Sequence, residues 1–130
     1  MYYPMRAIRT TRYRLIHNLN YRSAFGMAVD VGSSPTFQDI LNKTDNFLPT
    51  SWFKSLPQYY FREQYELFDL HVDPQELDNA AGDPAHSAIF QSLCSELSAW
   101  QEVTQDPWRC LPARFMLPDG KCTSAGNREP

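Results

Sequence analysis

A chain of 130 residues has room for one domain or part of one, and its 42% apolar and 14% aromatic residues exclude wholesale disorder. It has no run of roughly 18 apolar residues that would read as a membrane span, and its opening residues lack the apolar centre of a signal peptide. The formal net charge of −3 hides an uneven spread: residues 1–22 hold Arg6, Arg9, Arg12, Arg14 and Arg22 with no acid, a local +5, while the rest carries seven basic and fifteen acidic residues.

That split has two readings. Either the first segment faces an anion, or its arginines pair with the acidic part of the same fold. Arg6, Arg9, Arg12 and Arg14 are the candidates for the first. The Arg/Tyr mixture also suggests nucleic acid, but a pI near 5.5 and the lack of any nucleic-acid motif argue against it. The opening MYYPMRAIRT, aromatic and basic from the start, reads like the middle of a folded protein and predicts a longer parent.

In chain order, residues 3–19 predict a β-hairpin. Its two strand-rich runs, 7–10 and 13–17, flank a Thr11-Arg12 connection, with Tyr13, Leu15 and His17 on one face. A loop over 23–34 ends at Ser34-Pro35, which opens a short helix with Phe37, Ile40 and Leu41 on one side. Asn42-Lys43-Thr44 follows, the sole N-x-S/T sequon, making Asn42 a candidate glycan acceptor. Residues 45–64 predict an aromatic-rich connector with a turn of helix near 52–56.

Residues 65–70 predict a strand with two partly apolar faces. Immediately after it, Asp73 as N-cap, Pro74 at the first position and Glu76 at the third predict a capping box and a second short helix. Asp83-Pro84 repeats the start signal for the longest helix, to about residue 103, with Ile89, Leu93, Leu97 and Trp100 as its apolar stripe. After Asp106-Pro107-Trp108 the pattern has no periodicity. The elements add up to an α+β layer: a small antiparallel sheet with a long helix across it. The domain expectation is 1–104 as the folded body and 105–130 as an irregular tail.

Three cysteines, at positions 94, 110 and 122, argue against a closed disulfide framework. Cys94 sits in the long helical pattern and reads as a buried thiol. Cys110 and Cys122 flank a stretch of the kind that a cross-link can pin down. No CxxC is present and His17, His71 and His86 are scattered, so metal binding is not indicated.

The strings MYYPMRAIRTTRYRLIHNLNY, SPTFQDILNKT, YELFDLHVDPQELDNAA and DPW resemble, in order and spacing, the C-terminal part of the sulfatase family. The nearest likeness is to its members that remove N-linked sulfate from glucosamine in heparan sulfate. The resemblance implies a parent enzyme whose larger domain holds Ca²⁺ and a cysteine converted to formylglycine within C-x-P-S-R. It also implies a smaller C-terminal domain of about four antiparallel strands with a helix packed on it. None of the catalytic or metal machinery is expected in this chain. Cys110 stands in C-L-P-A-R, with Ala113 where the motif has Ser, and is not expected to be the nucleophile.

By the same resemblance Cys110 and Cys122 form a disulfide, Asn42 carries a glycan and Cys94 stays free. The implied setting is the lysosome. The implied partners are the catalytic domain, heparan sulfate through the intact enzyme, and a second copy. The expected role is structural, at the rim of the pocket, and the segment alone is expected to be inactive. Two alternatives stay open: a stand-alone interaction module that kept this fold, or part of a related O-sulfatase.

Overall fold

In the computed structural model residues 3–112 and 114–123 are described. The first two residues of the opening and residues 124–130 of the tail lie outside them. The elements run β1 (Met5–Arg9), β2 (Tyr13–Asn18), α1 (Val29–Gly32), α2 (Pro35–Asp45), α3 (Leu56–Tyr60), β3 (Tyr65–Asp69), a 3₁₀ turn at Pro84–His86 and α4 (Ser87–Val103). They divide between two compact units, Pro4–Asn20 with Glu63–Pro130, and Met1–Tyr3 with Tyr21–Arg62.

The first unit is the α+β layer. Its antiparallel strands lie in the order β1-β2-β3, with Ile8 opposite Leu15 and Leu15 opposite Leu67. The connection between β1 and β2 spans Thr10 to Arg12. Thr10 closes it by accepting from the backbone N–H of Tyr13 at 2.8 Å and of Arg12 at 3.2 Å. The period-2 pattern puts Tyr13, Leu15 and His17 on one face with Tyr65 and Leu67 beside them. Leu15, Leu67 and Leu93 of α4 form the fully buried centre, flanked by Ile8, Ile89 and Phe90. Burying three leucines contributes several kcal/mol, at roughly 1.5–3 kcal/mol each.

Among the described residues the sheet has three strands where about four were expected. The outer edge of β3 is occupied by irregular chain: Asn79 accepts from the Leu67 N–H at 2.8 Å, and its amide donates to the Tyr65 carbonyl at 3.0 Å. Ala80 N–H donates to the Leu67 carbonyl at 2.8 Å. A side-chain amide thus does the work of strand backbone.

The short helix expected after Asp73-Pro74 does not form. Asp73 does cap backbone, accepting from the N–H groups of Leu77 and Asp78 at 2.8 and 2.9 Å. However, Glu76 adopts the left-handed conformation, φ 58°, and its carboxylate turns to Arg14 instead of back to the cap. The cap chemistry is present without an apolar stripe beyond it to make a helix worth burying.

The long helix starts as expected, with Asp83 accepting from Ala85 N–H at 2.9 Å, but its first turn is 3₁₀ and α4 proper begins at Ser87. Its stripe departs from expectation at the C-terminal end. Leu93 and Leu97 are buried, Trp100 is 51% exposed, and the neighbouring Gln101 is buried instead. The helix stops in a Schellman motif: Gln105 takes φ 53°, and the N–H groups of Gln105 and Asp106 bond the carbonyls of Glu102 and Gln101.

In the second unit, Ser34 caps α2 by accepting from Phe37 N–H at 3.2 Å, and Phe37 is buried. The helical turn expected near 52–56 lies later, at Leu56–Tyr60, because Ser55 and Gln58 form the capping box. The loop expected over 23–34 contains the short α1. Tyr59 organises the aromatics here, meeting Phe25, Phe37, Trp52 and Tyr60 within 5.2–6.0 Å.

Candidate functional site

Three of the four candidate arginines on the hairpin meet carboxylates of the same unit. Arg6 grips Asp106 with a fork, Nε to Oδ2 at 2.8 Å and Nη2 to Oδ1 at 2.6 Å. The Schellman motif puts Asp106 in that place, and Asp106 also accepts from Gln101 Nε2 at 2.8 Å and Trp108 N–H at 3.2 Å. Burial raises the proton affinity of this carboxyl, but the donors from Arg6, Gln101 and Trp108 outweigh it and hold the pKa below the ordinary value.

Arg12 donates from Nη2 to Asp69 at 2.7 Å, and Asp69 also accepts from His71 N–H at 3.1 Å. The hydrogen bond from Arg12 is the main reason that Asp69 is held down at about 2. The Arg12 guanidinium also lies 4.9 Å from the centre of the Tyr13 ring. Arg14 donates from Nη1 to both oxygens of Glu76, at 2.8 and 2.7 Å. Arg9, opposite Arg14 in the β1–β2 register, is exposed and has no ion pair among the described residues.

Asn42 lies exposed within α2; its side-chain oxygen accepts from Asn46 Nδ2 at 3.0 Å and the Thr44 hydroxyl donates to the Ile40 carbonyl. Cys110 and Cys122 are joined by a disulfide with Cα atoms 5.4 Å apart. Between them the chain turns back on itself. Met116 pairs with Cys122 in an antiparallel bridge, and Gly120 supplies the φ of 81° that the turn needs. Cys94 is a free, half-buried thiol on α4, and burial pushes its pKa up. Among the described residues no group of three or more His, Cys, Asp or Glu is placed to hold a metal ion.

A cavity of about 350 Å³ lies where the disulfide loop meets the last turns of α4 and the ends of β2 and β3. His17, Gln101, Arg109 and Arg114 line it with the Cys110–Cys122 bond. The sequence pattern missed Gln101, Asp106 and Arg109. Only the position of Gln101, four residues after Leu97 on the buried stripe, could have flagged one of them.

No family model matches the chain. Its sequence is 30% identical over 107 residues to an ulvan-active sulfatase of Formosa agariphila, covering 78% of this chain and 17% of that protein. An α+β layer with a C-terminal helix on its sheet, matched over most of its length to a sulfatase, defines the class: this is a sulfatase-type sequence. The match to human N-sulphoglucosamine sulphohydrolase is stronger, 45% identity over 112 residues, covering 86% of this chain. The chain is a sulfamidase-related sulfatase segment, and it spans 22% of the length of that relative.

Proposed function

We propose that the chain is the C-terminal part of an enzyme that hydrolyses N-linked sulfate from glucosamine in heparan sulfate. In this reading it buttresses the catalytic part and shapes the rim of the substrate pocket. The 45% identity to N-sulphoglucosamine sulphohydrolase carries the proposal. Ca²⁺ and formylglycine belong to a part of the parent outside this chain, because the residues here fit neither. The described acids form no metal cluster, and Cys110, in the one sequence near the C-x-P-S-R motif, is bonded to Cys122.

The remaining proposals follow from the same parentage. The partners are the catalytic domain, the glycan through the intact enzyme, and a second copy. The setting is the lysosome, and Asn42, exposed on α2, carries a glycan. Arg9 is the hairpin arginine still available to an external anion.

The test joins this chain to the polypeptide encoded upstream of it. The joined protein should release sulfate from N-sulfated glucosamine, and the 130-residue chain alone should release none. Turnover by the isolated chain, or an upstream sequence without C-x-P-S-R, overturns the reading. A second reading, part of a related O-sulfatase, draws on the 30% identity to the ulvan-active enzyme. Activity of the joined protein on a sulfate ester, with none on the N-sulfated sugar, would select it.

A further inference from the structure

The cavity beside the disulfide is lined by charged residues of one sign only. Arg109 and Arg114 line it, and among the described residues no aspartate or glutamate does. The Nη2 of Arg109 donates to the Gly120 carbonyl, which fixes the guanidinium against the turn. Its Nη1 is buried and has no hydrogen-bond partner among the described residues. His17, only 9% exposed, presents an Nε2 that is also buried without a partner. The His17 ring is held from behind by Tyr65, stacked at 4.3 Å and 14°. Gln64, Ser98 and Gln101 add neutral polar groups to the wall.

A guanidinium with no counter-charge is costly to bury. Elsewhere in the same unit that cost is met by carboxylates: Arg6, Arg12 and Arg14 each have one. Among the described residues Arg109 has a carbonyl alone, and Arg109 and His17, each with one buried nitrogen unpartnered, both line one small chamber. An acceptor carrying negative charge completes both, since a charge-assisted bond to guanidinium is about twice as strong as a neutral one.

We propose that this chamber binds a small oxyanion, a sulfate or a carboxylate group, with Arg109 as its principal donor, His17 as the second, and Arg114 adding charge at the mouth. A neutral His17 serves as donor when its proton sits on Nε2, so the site does not require imidazolium. The inference is independent of the enzymatic reading and would hold equally for a non-catalytic module.

The test titrates the ¹⁵N-labelled chain with sodium sulfate, and separately with sodium acetate, at constant ionic strength balanced with sodium chloride. NMR follows the Arg109 Nε–H and the His17 ring. The expected result is a saturable shift of both signals with at least one of the two anions and, read at the His17 ring, a weakening of about tenfold or more in Arg109→Gln, the size of one lost charge-assisted bond. Saturation by sulfate but not acetate assigns a tetrahedral oxyanion, and the reverse assigns a carboxylate. Arg9→Gln, remote from the chamber, should leave both curves unchanged. Should Arg109→Gln fail to fold, Arg114→Gln serves, with a smaller weakening expected. Linear shifts that never saturate, or curves identical in the arginine variants of the chamber, would overturn the proposal and leave the space to water.

Discussion

Arg12 and Arg109 lie in the same unit and are paired differently. At the hairpin end, Arg12 meets Asp69 at 2.7 Å, and Arg6 and Arg14 likewise close on carboxylates. At the disulfide end, Arg109 meets a carbonyl and keeps a buried nitrogen unpartnered. The contrast shows that a cluster of arginines in a sequence does not mark an anion site. Here the conspicuous cluster is mostly neutralised by the chain's own acids, and the less conspicuous pair lines a chamber without acids among the described residues.

Four perturbations sharpen that contrast, taken from the largest expected effect. Replacing Asp106 with Ala removes the partner of a half-buried fork and leaves Gln101 unsatisfied as well. A loss of about 3 kcal/mol is expected in urea unfolding, the low end for breaking a buried pair. Breaking the cross-link, in Cys110→Ser with Cys122→Ser, opens a loop of sequence separation 12. It should cost slightly less, about 2.8 kcal/mol by loop-closure entropy, and should loosen the wall that positions Arg109.

The third is a pH effect. Asp69 is held at about 2, below its ordinary value of 3.8, so the native state binds its proton less readily than the unfolded chain. The stability it contributes is fully present above pH 4 and is lost as the pH falls towards 2. Thermal melts should therefore decline over that window in the parent chain and less steeply in Arg12→Gln. Arg9→Ala, by contrast, should change unfolding by under about 0.5 kcal/mol, as expected for an exposed side chain without partners.

Much of the fold was legible because it rests on periodicity. The alternation of Tyr13, Leu15 and His17 and the spacing of Leu93 and Leu97 express burial, and those residues pack as the spacing predicts. Signals read from a cap alone were less secure. Asp73 caps backbone, yet no helix follows, whereas Asp83, with an apolar stripe after it, does begin one. Trp100 reads as core by hydrophobicity and is half exposed, while the polar Gln101 is inside. A single chain cannot announce that exchange, because it depends on Asp106 returning under the helix after a left-handed Gln105. The cavity residues were hidden for the same reason: His17, Arg109 and Arg114 come from distant stretches that only the turn at Gly120 and the cross-link gather.

Asn79 has one more consequence. By filling the flank of β3 it leaves β1 as the other edge, and among the described residues no strand pairs with the outer side of Met5–Arg9. Any further strand, whether from elsewhere in a longer polypeptide or from a neighbour, has only that side on which to continue the ladder. A sheet with one border occupied can be extended on the other but is poorly suited to propagate edge to edge through both.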